Sequence, residues 1–531
     1  MNSKKPQLAI RMIVLIFTLI LLSIHICSIF SVNIFHYASY LNADISSETV
    51  LAPEIWKYKN IIPPSWIPST EVEIVNICAI AAPLYGLTGN MNLAYGISCC
   101  IITALIIICF YFLLKDSSFN SLSVLLGILI IVALPGTIDH LLNLYLLCGY
   151  YAVATVIMLF TLDIYIKTTN QKLKHKLLLQ TLSIVLAFSL SLSGMHGILF
   201  IYFPLFILEF LRWSTYWLVK HHLPAKSSVY KHTAIYVILL CCFAFIGTRS
   251  KYTVSSDMSR NIRHGFQKML SKVLPAFLEC ANITGIHGVR NILMISILIV
   301  SIVVMILFLI FHKKADQVHF LTLSFFWICL FTVILSNSFT TAEVATRYYY
   351  SYYFIAAYSF ACIFNYLHNN LSQNKNAGST LILYLISAFL LFPIYITSIQ
   401  NWQNVYPSMN VDSSDSYPEL TQIVSCIEDH NCHFCYSSFY NANNLTVISN
   451  GKVQGAAIAD FSKLNISKWL TSTDWYCPNA DYNSPTAYLM PKYADYSFYK
   501  MCSMHKDISI ILETDNYILY YSPHNYSNLQ E

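Results

Sequence analysis

The sequence predicts a polytopic α-helical membrane protein with a small α/β domain at its C-terminal end. Of its 531 residues, 56% are hydrophobic and 11% are charged, whereas soluble proteins carry about 25% charged residues. Apolar runs of about 18 residues, the length that crosses a bilayer as a helix, recur along most of the chain. Towards the C-terminus the chain becomes polar and its apolar residues alternate, which is typical of strands.

The first predicted span covers residues 8–30, and the charges beside it set the orientation. Lys4, Lys5 and Arg11 lie at its start, and cytoplasmic segments carry the excess of lysine and arginine. The apolar run is too long for a signal-peptide core and no small-residue cleavage site follows it, so we predict a retained span. The N-terminus is therefore predicted to be cytoplasmic, and the hydrophilic interval after the span to lie outside.

About eleven spans are predicted in all, and most of the basic residues between them agree with this orientation. Residues 75–87 are apolar but short and no basic residue follows them, so we predict a juxtamembrane or re-entrant segment on the outer side. Lys115, Lys167 and Lys313 fall in predicted cytoplasmic loops, whereas the basic residues of the predicted outer loop 248–289 are an exception. The further predicted spans are 93–114, 122–134, 152–166, 177–192, 198–218, 233–246, 292–311, 318–335, 352–367 and 382–396.

These spans divide the chain into two predicted domains. Residues 1–398 form the transmembrane domain, which includes an acidic first outer loop at 31–92. Residues 399–531 form an extracytoplasmic domain, because an odd number of spans ends on the side opposite to the N-terminus. The alternating stretches HFCYSSFY (433–440) and NYILYYS (516–522) predict that this domain is a small mixed α/β fold.

The acidic residues of the first outer loop are candidates for chemistry. Asp44 and Glu48 are four residues apart and share a face if the segment is helical. Such a carboxylate pair can hold a divalent cation or remove a proton from a sugar hydroxyl. Both roles are open, and so is the alternative that these are ordinary solvated loop residues. Glu54 lies beyond the Asp44–Glu48 face, and we expect its replacement to be nearly silent.

Other polar residues fall on the same predicted side of the membrane. Asp139 and His140 follow the third span, His196 lies in the turn SGMHG, and Arg347 and Tyr348 lie at the mouth of a span. Polar groups that converge on one side of a helical bundle indicate a binding or catalytic cavity. An arginine suits a phosphate because its guanidinium binds bidentately and stays charged. The alternatives are a turn histidine and an interfacial arginine within an aromatic belt.

The order of these features resembles that of the GT-C glycosyltransferases, among them the aminoarabinose and protein O-mannosyl transferases of family 39. These have an acidic motif early in the first outer loop, a second outer Asp, many further spans and a C-terminal outer domain. The Asp-Glu pair of the family is replaced here by NADISSE (42–48), in which Ile45 follows the Asp. The stretches DISSETVLAPEIWKYKNIIPPSWIPSTEVEI, YNANNLTVISNGKV and WLTSTDWY also resemble a group of bacterial GT-C-like membrane proteins.

The resemblance implies an enzyme that transfers a sugar from a polyprenyl-phosphate-linked donor to a cell-envelope glycan or lipid acceptor. The reaction would take place at the outer face of the bacterial cytoplasmic (inner) membrane. Asp44 would match the catalytic base and Asp139 the second outer Asp, and a divalent cation held by Asp44 and Asp139 is an open possibility. Glu48 would orient the acceptor or help to hold that cation.

The resemblance also implies binding residues for the donor and the acceptor. The donor phosphate would be bound by Arg347 and Tyr348, assisted by Arg249 or His196. Trp66 would stack on a sugar, with an interfacial anchor as its alternative role, and the acceptor candidates are Trp66 and His140.

Five cysteines fall in the predicted outer domain. In an oxidising compartment they predict disulfides with one thiol left over. Cys477 with Cys502 is the first candidate pair, and Cys426 with Cys432 or Cys435 is the second. The motif HNCHFC resembles part of a metal cluster, but no second CxxC completes it.

Two functions of other classes stay open. A transporter or flippase for lipid-linked glycans needs polar groups deep within its spans, whereas Asp163 and Glu209 lie near the inner ends of theirs. A GT-C-like scaffold that only binds its ligand is the second alternative. The sequence contains no Walker motif, glycine-rich phosphate loop or nucleic-acid-binding signature, so nucleic acid is not an expected partner.

Overall fold

A computed structural model gives the architecture of the chain. It describes residues 4–37, 41–69, 74–147, 151–170, 175–220, 228–249, 264–285, 287–310, 317–341, 343–373, 377–406, 417–461, 463–494, 506–527 and 529. The chain divides into two compact units. The helical unit is Met1–Ile29 with Ile102–Pro407, and the mixed unit is Phe30–Ile101 with Ser408–Glu531.

Helices account for most of the chain. The first ten are α1 (Lys4–Phe35), α2 (Ala43–Tyr58), α3 (Cys78–Thr88), α4 (Met91–Asp116), α5 (Ser121–Ala133), α6 (Ile138–Leu142), α7 (Ala152–Thr169), α8 (Lys176–Leu192), α9 (Phe203–Lys220) and α10 (Ser228–Gly247). The others are α11 (Gly265–Lys268), α12 (Leu274–Cys280), α13 (Val289–Ile310), α14 (Gln317–Phe339), α15 (Ser351–Gln373), α16 (Ala377–Val405), α17 (Pro418–Asp429) and α18 (Phe439–Ile448). A π-helical turn, Ile198–Tyr202, leads directly into α9.

Each of the eleven predicted spans coincides with a helix. Among the described residues, eight helices are long and apolar enough to cross a membrane, so the polytopic membrane class is confirmed. The predicted spans in α5 and α8 fall on helices of 13 and 17 residues, and α15 is also outside the eight. The count of about eleven therefore stays a prediction.

The apolar segment predicted to be juxtamembrane or re-entrant forms the short helix α3. Its 11 residues rise about 16 Å, about half of the hydrocarbon thickness of a bilayer. Gly89 ends the helix in the left-handed conformation, with φ of 65°, and its N–H donates to the Tyr85 carbonyl at 2.8 Å. A glycine adopts this conformation without steric cost.

The core of the helical unit includes α15, most of whose side chains are buried on all faces. Tyr352, Phe354 and Tyr358 are each 0% exposed, and a helix that is apolar all round belongs in an interior. The Tyr358 hydroxyl donates to Ser117 Oγ at 2.9 Å and lies 3.0 Å from His319 Nδ1. These polar contacts satisfy a buried hydroxyl that would otherwise be costly.

The mixed unit contains the strands of the protein. They are β1 (Trp66–Ile67), β2 (Phe434–Ser437), β3 (Gln454–Asp460), β4 (Asn465–Ile466), β5 (Thr471–Ser472), β6 (Thr486–Pro491), β7 (Ser509–Glu513) and β8 (Tyr517–Ser522). The main sheet has the order β4-β3-β2-β6-β8-β7. The strands β3, β2 and β6 are parallel to one another. At the edges, β4 is antiparallel to β3, β8 is antiparallel to β6, and β7 is antiparallel to β8. The stretch 433–440 contains β2 and then begins α18, and the stretch 516–522 contains β8, so the predicted mixed α/β fold is confirmed.

The unit boundary differs from the boundary predicted at residue 398, because residues 30–101 pack with the C-terminal residues. The short strand β1 pairs antiparallel with β5. Ser46 Oγ donates to Asn444 Oδ1 at 2.5 Å, and Asn92 Nδ2 donates to the Val447 carbonyl at 3.0 Å. The acidic first loop is therefore part of the same compact unit as the sheet.

Candidate functional site

The residues predicted to carry chemistry divide between the two units. The mixed unit holds Asp44, Glu48 and Trp66, and the helical unit holds Asp139, His140, His196, Arg249, Arg347 and Tyr348.

The acidic pair lies on α2, as the four-residue spacing predicted. The Asn42 side chain caps this helix by accepting a hydrogen bond from the Ile45 N–H at 2.9 Å. Asp44 is exposed in the first turn, where the positive end of the helix dipole stabilises a negative charge. Glu48 is one turn further and buried, and it accepts a hydrogen bond from Tyr95 Oη at 2.5 Å.

The environment of Glu48 changes its protonation. Burial raises the pKa of Glu48 to about 7, while the Tyr95 hydrogen bond lowers it and the nearby charge of Asp44 raises it. Burial has this effect because the carboxylate loses its hydration. A carboxyl with a pKa near 7 exchanges a proton readily at neutral pH, as a general acid–base group must. Glu48 can therefore hold a proton beside Asp44, the member of the pair that solvent reaches.

Glu54 does not have the solvated position expected of a silent control. It is buried, and the hydroxyls of Ser65 and Ser472 each donate to Glu54 Oε2 at 3.4 Å. Burial is the largest influence and raises the pKa of Glu54, while the charge of Lys57 lowers it. Glu54 is therefore unsuitable as a silent control, and the effect of its replacement stays a prediction.

Trp66 is also inside the mixed unit. It lies in β1 with 8% of its surface exposed. Its ring packs edge-on against Trp475, with centroids 6.1 Å apart at 82°. A ring enclosed in this way is not accessible to a sugar, so the structure disagrees with the predicted stacking role.

Asp139 and His140 lie on the short helix α6. The Thr137 hydroxyl caps this helix by accepting a hydrogen bond from the His140 N–H at 3.3 Å. Asp139 is exposed, whereas His140 is buried beside the Tyr353 ring at 6.4 Å. Burial lowers the pKa of His140 to about 4; the charge of Asp139 raises it and that of Arg290 lowers it. His140 is therefore neutral at pH 7, and its burial argues against direct acceptor binding.

The turn that precedes α6 is held by three side chains that sequence reasoning missed. Asn282 Nδ2 donates to the Leu134 carbonyl at 2.9 Å, and Arg290 Nη2 donates to the Gly136 carbonyl at 2.9 Å. Asn401 Nδ2 donates to the carbonyls of residues 133 and 134 at 2.8 and 3.2 Å. Neither spacing nor motif relates these residues to the turn. They fix the backbone that carries Asp139.

His196, Arg347 and Tyr348 come together in the helical unit. The His196 ring stacks on Tyr348 at 6.4 Å and 28°, and on Phe200 at 5.8 Å and 23°. Tyr151 packs edge-on against His196 and Tyr348, at 6.4 and 6.0 Å. The Arg347 guanidinium lies 5.7 Å from the Tyr348 ring centroid. We call these five residues the arginine–aromatic cluster.

Local backbone features position this cluster. His196 lies two residues before the π-helical turn Ile198–Tyr202, and such turns are frequent at functional sites. Arg347 lies in the 3-10 turn Thr346–Tyr349, which leads into α15. Its Nε is buried and has no hydrogen-bond partner among the described residues. The cluster therefore combines a fixed cation, aromatic walls and an unused donor.

Arg249 is the predicted phosphate ligand that the structure does not bring to this cluster. It is exposed just after α10, with its guanidinium 5.0 Å from the Phe245 ring of that helix. In the described ranges, no contact joins it to Arg347 or His196.

The structure bears out neither predicted disulfide among the cysteines that it describes. Cys426, Cys432 and Cys435 are thiols, so the second predicted pairing is not formed with either partner. Cys435 lies in β2 and is fully buried, whereas Cys426 Sγ lies 3.8 Å from Nδ1 of His430, which follows α17. Cys477 is also a thiol, and its Sγ donates to the carbonyls of Ala480 and Asn525 at 3.3 and 3.4 Å. Its predicted partner Cys502 lies outside the described residues.

A divalent cation at Asp44 and Asp139 also stays a prediction. Within the described ranges, no three His, Cys, Asp or Glu residues are grouped as ligands for a metal ion. Asp44 and Asp139 belong to different units.

Comparison with known proteins shows the fold. No family profile matches the sequence, and no curated protein is significantly similar to it. The apo structure of ArnT from Cupriavidus metallidurans matches with a TM-score of 0.58 at 9% identity, over 97% of this chain and 98% of that one. ArnT bound to undecaprenyl phosphate matches with a TM-score of 0.53 at 9% identity, over 97% and 99%.

An archaeal protein shares the same architecture. The oligosaccharyltransferase AglB from Archaeoglobus fulgidus, in complex with an inhibitory peptide and a dolichol-phosphate, matches with a TM-score of 0.52 at 10% identity. The alignment covers 91% of this chain and 70% of that one. The chain therefore has the GT-C fold, as the resemblance predicted.

Proposed function

We propose that the protein transfers a sugar from a polyprenyl-phosphate-linked donor to a glycan or lipid acceptor of the cell envelope. The GT-C fold supports this proposal over nearly the whole chain, and two of the similar structures hold undecaprenyl phosphate and dolichol-phosphate. The observation that carries it is the arginine–aromatic cluster, which provides a site for a phosphate in a chain of membrane-spanning helices. The charge pattern of the loops favours the outer face of a bacterial cytoplasmic membrane.

Arg347 is the proposed ligand of the donor phosphate. Its guanidinium is half-buried among aromatic rings, and a charge in such surroundings acts more strongly than one in water. The buried Nε without a partner leaves a donor for a phosphate oxygen. In the reaction, the bond between the anomeric carbon and the phosphate oxygen breaks, and its electron pair stays with the phosphate. Arg347 stabilises that developing charge, which lowers the barrier.

Asp44 is the proposed general base. Its exposed carboxylate accepts the proton of the acceptor hydroxyl while that oxygen attacks the anomeric carbon, which inverts the configuration. A base of this kind contributes about 10²–10⁴-fold to the rate. Glu48 supports it, because a protonated Glu48 places no second negative charge beside Asp44.

Binding of undecaprenyl phosphate tests the proposal. The wild-type protein in nanodiscs should bind this lipid, and native mass spectrometry should show weaker binding by Arg347→Met, by about tenfold or more. Arg347→Lys should be intermediate, since an ammonium keeps the charge but loses the planar fork. Arg249→Met is the matched control, because Arg249 is exposed and outside the cluster. Equal binding by Arg347→Met and wild type would exclude Arg347 as the phosphate ligand.

A further inference from the structure

A second group of aromatic side chains lies at one end of the main sheet of the mixed unit. Tyr482 precedes β6, His524 and Tyr526 follow β8, and Asp507 precedes β7. Since β8 is antiparallel to both β6 and β7, these chain positions meet at the same end of the sheet. The rings of Tyr482 and His524 are parallel within 8° at 5.0 Å, and Tyr526 packs edge-on against Tyr482 at 5.8 Å. We call the three rings the aromatic platform.

Backbone hydrogen bonds hold the platform in place. The Asn525 N–H donates to the Tyr482 carbonyl at 2.8 Å, and Asn525 Nδ2 donates to Tyr436 Oη at 2.8 Å. The Tyr526 N–H donates to Tyr488 Oη at 2.9 Å. Asn525 is itself fully buried. A ligand that binds to rings fixed in this way pays little entropy for ordering them.

Polar groups surround an accessible ring. Tyr482 is 49% exposed, although aromatic rings normally gain stability by burial. The Tyr526 hydroxyl donates to Asp507 Oδ2 at 2.7 Å, and Asp507 is exposed. His524 Nδ1 is buried and has no hydrogen-bond partner in the part of the chain that the structure describes. An open apolar ring thus lies beside an exposed carboxylate.

We propose that the aromatic platform is a binding site for a saccharide chain. A pyranose has a face of C–H groups, which suits the exposed Tyr482 ring, and a rim of hydroxyls, which suits the exposed carboxylate of Asp507. The inference rests on the proposed function, in which this saccharide is part of the acceptor. It adds a second contact for that acceptor, formed by residues that have no part in the chemistry.

The local chemistry favours a saccharide over other partners. Asp507 and the exposed Asp481 carry two negative charges against the one positive charge of the neighbouring Lys506, and a net negative charge disfavours anionic lipid surfaces and the phosphates of nucleic acids. A stable protein interface buries about 1,200–2,000 Å² in total, far more than one exposed ring provides. A neutral polyol is the partner that uses both the ring and its polar rim.

Binding of defined oligosaccharides by the full-length protein tests this proposal. The protein is placed in nanodiscs, since sugar-based detergents would compete for the site. The probes are linear hexasaccharides of glucose, of mannose and of N-acetylglucosamine, and binding is measured by saturation-transfer NMR and titration. We expect at least one probe to bind, and Tyr482→Ala to weaken it about tenfold, as for the loss of one stacked ring.

Two control variants show whether a loss of saccharide binding comes from removal of the Tyr482 ring. Tyr482→Phe keeps the ring and should bind almost as wild type does. Tyr493→Ala removes a tyrosine that is 88% exposed in the same unit but outside the platform, and it should leave binding unchanged. Equal losses for Tyr482→Ala and Tyr493→Ala would overturn the proposal, as would the absence of binding to every hexasaccharide.

The test also separates this site from the proposed phosphate site. Arg347→Met should lose undecaprenyl phosphate binding and keep saccharide binding, whereas Tyr482→Ala should do the reverse. Unchanged lipid binding by Arg347→Met would count against the phosphate site alone. If Tyr482→Ala reduced attachment to phosphatidylglycerol vesicles and had no effect on the hexasaccharides, the platform would be a membrane contact and the saccharide proposal would be wrong.

Discussion

Replacement of Gly136 by alanine should disorganise the turn that carries Asp139. A Cβ at this position would lie 2.5 Å from Arg290 Nη2, 2.7 Å from Asn282 Oδ1 and 2.8 Å from Asn401 Oδ1. Ordinary contacts of a Cβ begin at about 3.4 Å, so all three side chains must move. Their hydrogen bonds to the turn are 2.8–2.9 Å long, and displacements of this size break at least one of them.

The magnitude follows from two costs. Extra volume in a packed site costs about 1–3 kcal/mol, and a buried donor or acceptor left without its partner costs about 1–3 kcal/mol. We therefore expect a loss of about 2–6 kcal/mol in stability. Transfer activity should also fall strongly if Asp139 has the role that the resemblance implies, because the turn no longer positions it. The assays are the thermal midpoint of the protein in nanodiscs and glycan modification in cells.

The control is another glycine of the helical unit. At Gly285 an added Cβ would meet one atom of the described residues within 4 Å, Asn291 Nδ2 at 3.6 Å, so Gly285→Ala should behave as wild type. The double variant Gly136→Ala, Arg290→Ala removes one of the three colliding groups, and its loss should be smaller than the sum of the single losses. Wild-type stability and activity in Gly136→Ala would refute the idea that the three side chains fix this turn.

Three other predictions concern the mixed unit. Asp44→Asn should reduce the rate of glycan modification by about 10²–10⁴-fold, while the protein still inserts normally. Asp429→Asn, which changes an exposed carboxylate of the same unit, is the control. Full activity in Asp44→Asn would exclude Asp44 as the base. The pKa of Glu48 is raised from 4.5 to about 7, so the stability that its protonated form contributes should be complete below pH 4.5 and disappear as the pH rises through about 7. Glu48→Gln should flatten that part of the curve of thermal midpoint against pH, and an unchanged slope would show that Glu48 does not titrate there. Mass mapping of the non-reduced protein should find Cys477 as a free thiol, as it is in the structure, and a Cys477–Cys502 peptide would contradict this expectation.

Local patterns predicted the parts of the fold and the site that local physics determines. The spacing of Asp44 and Glu48 placed them on one helix, because four residues make about one helical turn. His196 and Arg347 were grouped because both lie where a predicted span ends, and the structure brings their side chains together. The membrane class and the strands β2 and β8 follow from hydrophobic periodicity in the same way.

Long-range pairing determined what the sequence could not predict. In the sequence Glu54 resembles a solvated loop carboxylate, but in the structure it accepts a hydrogen bond from Ser472, which is 418 residues away. In the sequence Trp66 is a candidate for stacking on a sugar, but in the structure β5 and Trp475 enclose its ring. The turn at Gly136 depends on a hydrogen bond from Asn282, and nothing in the sequence relates these two distant positions. No spacing rule connects such positions in a single sequence.

The pairing of β1 with β5 also has a consequence for folding during the biosynthesis of the protein. The two strands are separated by about 400 residues, and a ribosome needs roughly 20–80 s to make that length. During this interval β1 and the buried carboxylate of Glu54 lack the partners that enclose them. The part of the chain that carries Asp44 therefore reaches its native form only after synthesis has passed β5, about nine-tenths of the way along the sequence, and any premature stop before β5 leaves it unfinished.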